Sequence, residues 1–172
     1  MLNALEQEPA DAARQEAGVL PTILGYCAFV WAELFALVHV YWAAGGTWAL
    51  PPGVRVPDLP ALFAVDVAAV PLCAAGGLAA LSLVRPVRGP GSPRARRIAV
   101  AATSAICLAH SAPTVVAAAA VLARDEAGTL SERTRISYFC YEPYWFLGGL
   151  LTAALYLADR RRRPPAPQVP PR

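Results

Sequence analysis

Four long apolar stretches constrain this chain more than any other feature of its sequence. They cover about residues 20–42, 61–84, 98–123 and 137–158. At 1.5 Å per residue, a helix of about 20 residues crosses the roughly 30 Å hydrocarbon core of a bilayer. The segments between them are rich in Gly, Pro and Arg, whose backbone groups and charges need water. The sequence therefore predicts an all-α fold, a four-helix transmembrane bundle that crosses the cell membrane several times.

The composition supports lipid as the solvent of this chain. Hydrophobic residues make up 56% of its 172 residues, whereas soluble domains hold about 45–50% apolar residues. This length suits one domain and leaves no room for a separate catalytic domain beside a membrane anchor. The net charge is only +3, and the arginines lie in short loops and a tail, which argues against nucleic acid as a partner. Any active site must lie among the helices.

The distribution of arginine predicts the orientation of the bundle. Eleven arginines lie in the leader 1–19, in the loop between the second and third stretches, and in the tail 159–172, while the other two loops hold four. Short loops rich in Arg stay in the cytoplasm, so both termini are expected to be cytoplasmic. The leader is acidic, lacks the basic start of a signal peptide and is expected to be mobile. The Pro-rich tail is expected to be disordered.

Five ionisable residues interrupt the apolar stretches: Glu33, His39, Asp66, His110 and Glu142. An unpaired charge at the bilayer centre costs about 2.5–3.5 kcal/mol or more, so these side chains should face one another or a wet cavity. Counted from the outer helix ends, His39 lies about 5 Å deep, Asp66 and Glu142 about 8 Å, and Glu33 about 14 Å. This convergence predicts one polar site. Alternatively, Asp66 and Glu142 are solvated at an interface, where a carboxylate also suits a helix start.

Aromatic residues concentrate on the first and fourth stretches, beside the predicted acids. An interfacial aromatic belt explains Trp42 and Tyr138, but it explains Trp31 poorly because Trp31 lies near mid-membrane. The second and third stretches are rich in Ala and Gly, as close helix packing requires, and Pro71 and Pro113 should kink them and open a cavity. The residues expected to contact a substrate are Trp31, Phe35, Tyr41, Trp42, Tyr138, Tyr141 and Trp145, together with His110.

The four cysteines give no sign of a metal or redox centre. Cys27, Cys73, Cys107 and Cys140 fall one to each apolar stretch and form no CxxC pair. A free buried cysteine behaves as a small hydrophobic residue. The sequence therefore predicts neither a bound metal nor a cofactor.

Two segments carry a family resemblance. The run FALVHVYWAAGGTWALP at 35–51 and the run EPYWFLGGLL at 142–151 resemble an uncharacterised family of small bacterial integral membrane proteins. That family carries an HVYWALGG-type motif at the end of the first of about four helices. The matching positions are His39, Tyr41, Trp42, Gly45 and Gly46. The resemblance implies the architecture, but it implies no activity.

Acids beside aromatic rings suggest a membrane enzyme acting on a prenyl, terpenoid or other lipid-like substrate. By architecture alone, the chain is similar to sterol isomerases of the emopamil-binding kind and to membrane-bound terpene cyclases, in which acidic and aromatic side chains surround a carbocation. Glu33 or Glu142 would protonate an alkene or epoxide, and His39 or Asp66 would accept the final proton. The π faces of Trp31, Trp145 and Tyr141 would stabilise the cation.

Two non-catalytic functions use the same residues. The acids could form a proton or cation site of a transporter, which with four helices would need to be a homo-oligomer. The chain could also be an accessory subunit whose Gly- and Ala-rich helix faces pack against a membrane partner. Genes for prenyl-transfer enzymes beside this gene would favour the enzyme, and genes for ion handling would favour the transporter.

Overall fold

The computed structural model describes residues 2–85 and 92–162, with side chains described from residue 19 onward. All regular elements in these ranges are helical, which confirms the predicted all-α fold. The long helices are α1 (Leu2–Ala43), α2 (Pro60–Ser82) and α3 (Pro93–Ala123). A fourth long helix is composed of α4 (Glu132–Ile136), a π-helical turn (Ser137–Tyr141) and α5 (Glu142–Arg161). Short 3₁₀ helices lie at Val56–Asp58 and Ala127–Thr129.

Three helices are long and apolar enough to cross a membrane. The spans are Val19–Ala43, Pro60–Ser82 and Pro93–Ala123, with mean hydropathies of 1.8, 1.9 and 1.9. The helix α5 is shorter and carries charged residues near both ends, Glu142 at its start and Arg160 and Arg161 at its close. A fourth span at 137–158 therefore stays a prediction.

Helix boundaries differ from the sequence expectation at three places. The helix α1 begins at Leu2, so the segment expected to be a mobile leader is helical, and its many Ala, Glu, Gln and Leu residues favour a helix. The helix α3 begins at Pro93 rather than at 98, because the Ser92 side chain accepts a hydrogen bond from the backbone N–H of Ala95. The fourth helix begins at Glu132, within the segment expected to be a loop. The middle of the predicted hairpin at 85–97 and the tail from 163 lie outside the described residues.

Small residues let the helices approach closely. A Cβ atom on Gly77 of α2 would lie 3.1 Å from the Cβ atom of Ala32 on α1, and one on Gly148 of α5 would overlap the Trp31 ring. The buried residues between the helices include Ala28, Ala80, Val100 and Leu155. Large apolar side chains such as Leu37, Val116 and Leu122 instead point outward, as lipid-facing residues do.

The two ends of the bundle differ in chemistry. At one end, the loop 44–59 between α1 and α2 folds back over the helices: the Trp42 Nε1–H donates to the carbonyl of Trp48 at 2.8 Å, and the Tyr141 hydroxyl donates to the carbonyl of Ala49. This is called the aromatic end. At the other end, Arg97 Nε of α3 lies 3.0 Å from Asp159 Oδ2 of α5. This is called the arginine end.

Candidate functional site

A cavity of about 410 Å³ lies beneath the loop 44–59 at the aromatic end. Residues of all four long helices and of the loop contribute to its walls. It contains two histidine–carboxylate pairs and is called the acid cavity. The polar site predicted from converging depths in the sequence corresponds to this place in the fold.

The first pair joins α1 to α2. His39 Nδ1 and Asp66 Oδ1 lie 2.6 Å apart, and both residues are buried, with 8% and 2% of their surfaces exposed. Their other polar atoms, His39 Nε2 and Asp66 Oδ2, are buried without a hydrogen-bond partner among the described residues. Buried polar atoms usually have partners, since burying one alone costs about 1–3 kcal/mol. These atoms belong to residues that line the cavity, where water, a ligand or a transferred proton would be their partner.

The second pair joins α3 to α5. His110 Nε2 lies 3.6 Å from Glu142 Oε1, which is an ion-pair distance but longer than a hydrogen bond. The Glu142 side chain is 12% exposed, whereas that of His110 is 55% exposed. Glu142 Oε2 is buried and has no hydrogen-bond partner in the described part of the chain. Each pair thus combines a buried carboxylate with a histidine that can hold a proton beside it.

Aromatic rings surround the first pair and continue to the second. The His39 ring centroid lies 4.6 Å from that of Phe35 and 5.4 Å from that of Trp42. Phe35 in turn lies 5.1 Å from Trp145, which lies 5.0 Å from His110. Tyr141 lies 5.8 Å from Trp42 and completes the wall. The cavity therefore offers π faces and edges between its two histidine–carboxylate pairs.

A second, apolar cavity of about 240 Å³ lies deeper in the bundle. Phe35 and Trp145 line both cavities and separate them. Cys73 and Cys107 line the apolar cavity as free thiols, among small residues such as Ala28 and Gly76. A molecule with a polar group in the acid cavity could extend hydrocarbon into this space.

Trp31 and Tyr144 fix α1 against α5. The Trp31 Nε1–H donates to the carbonyl of Tyr144 at 3.0 Å, and the Tyr144 hydroxyl donates to the carbonyl of Trp31 at 2.7 Å. Their ring centroids lie 5.5 Å apart in a stacked arrangement. Gly148, one turn after Tyr144, leaves the space that the Trp31 ring fills. This reciprocal pair accounts for a tryptophan that an interfacial belt did not explain.

Eight of the twelve predicted site residues line the acid cavity: Phe35, His39, Trp42, Asp66, His110, Tyr141, Glu142 and Trp145. Trp31 lines the apolar cavity instead. Tyr41 is largely exposed and its hydroxyl accepts from the backbone N–H of Trp48 at 3.3 Å. Tyr138 lies outside both linings, with its ring against Phe139.

Glu33 is placed away from the acid cavity. It belongs to the described lining of neither cavity, and its Oε1 atom would lie 2.9 Å from a Cβ atom on Gly77. That oxygen is buried without a hydrogen-bond partner among the described residues. Glu33 thus faces α2, as a polar residue inside a bundle should, but it lies apart from the two pairs.

Sequence reasoning missed Arg133 and Ser137 as lining residues of the acid cavity. Arg133 lies in the segment that was predicted to be a loop, and Ser137 is the first residue of the predicted fourth stretch. The spacing of four residues from Arg133 through Ser137 and Tyr141 to Trp145 is the signal that could have found them, since such residues share a helix face. Arg133 supplies a positive charge at the cavity.

No group of three or more His, Cys, Asp or Glu side chains in the described ranges is arranged to hold a metal ion.

The fold and the site define an all-helical protein with membrane-length apolar helices and an internal acid–histidine cavity. The chain belongs to the family described as "Protein of unknown function (DUF3995)", whose family model matches residues 32–152. This confirms the expected membership of an uncharacterised family, and the matched range includes every lining residue of the acid cavity. Neither the curated proteins nor the solved structures compared with the chain gave a match.

Proposed function

We propose that this chain is a multi-pass integral membrane enzyme that isomerises or cyclises a prenyl, terpenoid or other lipid-like substrate by proton transfer in the acid cavity. The observation that carries the proposal is the pair of histidine–carboxylate contacts, His39–Asp66 and His110–Glu142, in one aromatic-walled cavity. Proton-initiated chemistry needs a group that gives a proton and a second group that takes one.

The packing of α5 supports a fourth membrane span. Arg97 of α3 contacts Asp159 of α5 at the arginine end, while His110 of α3 contacts Glu142 of α5 near the aromatic end. From Arg97 to His110, α3 rises about 20 Å. Since α5 follows α3 over this distance, a bilayer that surrounds α3 also surrounds α5.

The reaction begins with protonation of the substrate. A proton from the His110–Glu142 pair adds to one carbon of an alkene, which forms a C–H bond and leaves the positive charge on the neighbouring carbon. Glu142 takes this role rather than Glu33, because Glu142 lines the cavity. The faces of Trp145 and Tyr141 stabilise the cation by about 0.5–2 kcal/mol each.

Loss of a proton completes the reaction. The His39–Asp66 pair accepts a proton from a carbon beside the cation, and the electrons of that C–H bond form the new double bond. One proton enters and one leaves, so the step needs no oxidant or reductant. When a second double bond of the substrate attacks the cation first, the same cavity yields a ring.

The apolar cavity suits the hydrocarbon part of such a substrate. It continues from the acid cavity past Phe35 and Trp145, and its other lining residues, such as Leu72 and Ile106, are mostly apolar. A prenyl chain would lie there while its reacting double bond lies between the two pairs.

The experiment that tests this function is conversion of prenylated substrates by membranes containing the full chain. In deuterium oxide, a protonated and then deprotonated product should carry one deuterium at the carbon that received the proton. Glu142→Gln should abolish both product and deuterium uptake, while Glu126→Gln, at an exposed position outside the cavity, should change neither. Equal conversion by wild type and Glu142→Gln would overturn the proposal.

A second candidate function is proton or cation binding without chemistry. Asp66 Oδ2 and Glu142 Oε2 are both orphaned oxygens on residues of the same cavity, and carboxylate oxygens suit a small cation as well as a proton. Proteoliposomes loaded with a pH-sensitive or Na⁺-sensitive dye separate the two functions. Ion flux that Asp66→Asn abolishes, with no conversion of any prenylated substrate, would favour this candidate.

A further inference from the structure

A third cavity, of about 400 Å³, lies at the arginine end between α3 and α5. Among the described residues, its lining consists of Arg94, Arg97, Ile98 and Ala101 of α3 and Tyr156 and Arg160 of α5. It lies at the opposite end of the bundle from the acid cavity. The two cavities share no described lining residue, so a role for this site can be inferred independently of the proposed enzyme activity.

The charge of this pocket is strongly positive. Three guanidinium groups line it, and the Arg97 Nε–H donates to Asp159 Oδ2 at 3.0 Å, which offsets one of them. The Arg160 guanidinium carbon lies 5.9 Å from the Tyr156 ring centroid, so the aromatic face holds this side chain toward the pocket. Arg94 is exposed in the first turn of α3. The local excess of positive charge calls for an anion.

The lining changes from charged to apolar within one turn of α3. Arg94 and Arg97 are followed directly by Ile98, which is 58% exposed, and by Ala101. A phosphate ester with hydrocarbon attached matches this order, because guanidinium groups bind phosphate oxygens in a bidentate manner and the acyl chain would lie along Ile98. A free phosphate would leave the apolar side of the pocket without a partner.

The geometry points to a binding site for the phosphate headgroup of an anionic phospholipid, held by Arg94, Arg97 and Arg160 between α3 and α5. Basic pockets between membrane helices on the cytoplasmic side are suited to such headgroups. The predicted orientation places the arginine end on that side. The lipid would join α3 to α5 at the end opposite to the His110–Glu142 contact.

The test uses the purified full chain in a neutral detergent, titrated with dioctanoyl phosphatidylglycerol and, separately, dioctanoyl phosphatidylcholine. Native mass spectrometry measures the fraction of lipid-bound protein. Wild type should bind phosphatidylglycerol more tightly than phosphatidylcholine. Arg94→Gln and Arg160→Gln should each weaken phosphatidylglycerol binding about five-fold. Both positions are exposed and neither change breaks the Arg97–Asp159 pair, so the bundle should stay folded.

The matched control is Arg85→Gln, which removes the same charge after α2, where Arg85 stacks on Tyr26 outside the pocket. It should leave phosphatidylglycerol binding unchanged. An equal loss in all three variants would show attraction by general surface charge and would overturn the site. Displacement of phosphatidylglycerol by glycerol 3-phosphate at similar concentrations would overturn the lipid assignment and indicate a soluble phosphate ester.

Discussion

The hydrogen bond between His39 Nδ1 and Asp66 Oδ1, 2.6 Å long, links α1 to α2 at a point where both side chains are buried. It joins the two helices beside the acid cavity and leaves the second imidazole nitrogen and the second carboxylate oxygen without partners in the described structure. Both atoms belong to residues that line the acid cavity, where a substrate or water would meet them.

Replacing Asp66 by Asn should separate the chemical role of this pair from its structural role. Asn keeps the size and an acceptor for His39, but it cannot take up the proton, so turnover should fall by about 10²–10⁴-fold with the protein still folded. Product analysis and thermal unfolding in detergent measure the two effects. Asp58→Asn, on an exposed residue just before α2, is the control and should retain full activity. Undiminished turnover of Asp66→Asn would exclude the pair from proton transfer.

Replacement by Gln should have different effects at Glu142 and at Glu33. Glu142→Gln should abolish turnover, because Gln keeps the shape of the residue without a transferable proton. Glu33→Gln should leave turnover nearly unchanged, since Glu33 lies against Gly77 and outside the cavity lining. Both variants are compared at equal amounts of folded protein in the membrane. The opposite ranking would move the proton donor to Glu33.

Replacing Trp145 should change the product distribution, whereas replacing Trp31 should change the thermal stability. Trp145 lines both cavities, so Trp145→Leu should release products quenched early, because loss of a π face weakens a later cation by about 0.5–2 kcal/mol. Trp31→Leu removes the donor to the Tyr144 carbonyl and should chiefly lower the melting temperature. Chromatography of the products and a thermal melt distinguish the two. A shift in product ratios from Trp31→Leu alone would contradict this division.

Close packing between α1 and α5 should make Gly148 intolerant of a side chain. A Cβ atom there would lie 2.0 Å from the Trp31 ring, so Gly148→Ala should destabilise the fold by about 1–3 kcal/mol. Gly128→Ala is the control, since no described atom lies within 4 Å of its added Cβ. Retained folded fraction after a heat step measures both. Equal melting of the two variants would show that the Trp31 ring moves aside freely.

The orientation of the bundle is tested by labelling. With the four native cysteines replaced by Ala, Pro52→Cys in the exposed loop 44–59 should react with an impermeant maleimide on intact cells. Tags at both ends should react only after permeabilisation, because eleven of the arginines lie on that side in the predicted orientation. Labelling of Pro52→Cys only in opened cells would reverse the topology.

Depth along the helices could be predicted from the sequence, and the three residues that it grouped, His39, Asp66 and Glu142, line one cavity in the structure. Depth alone does not indicate the direction in which a side chain points around the helix axis. For this reason the depths calculated from the sequence placed Glu33 in the same site as His39, Asp66 and Glu142. Glu33 and His39 are six positions apart, a rotation of about 240°, whereas Phe35 and His39 are one turn apart and line the cavity together. A helical-wheel comparison could have made this distinction.

Other contacts depend on tertiary packing that a single sequence does not encode locally. The pairing of Trp31 with Tyr144 joins residues 113 positions apart. The sequence indicates only that a buried indole N–H needs a hydrogen-bond acceptor, without indicating which one. The fold of loop 44–59 over the cavity likewise rests on the contact between Tyr141 and Ala49. Neither partner could be chosen without knowing which helices are neighbours.

The geometry of the site depends on the number of residues in the π-helical turn at Ser137–Tyr141. The Glu142 N–H donates to the carbonyl of Ser137, five residues earlier, and Pro143 has no N–H to offer the carbonyl of Phe139. The extra residue turns everything before it by about 100° relative to α5. A relative lacking one residue here would present Arg133 in a different direction relative to α5, even if every other residue were the same. A comparison of this cavity with a relative's sequence therefore has to count the residues across the turn before it compares their identities.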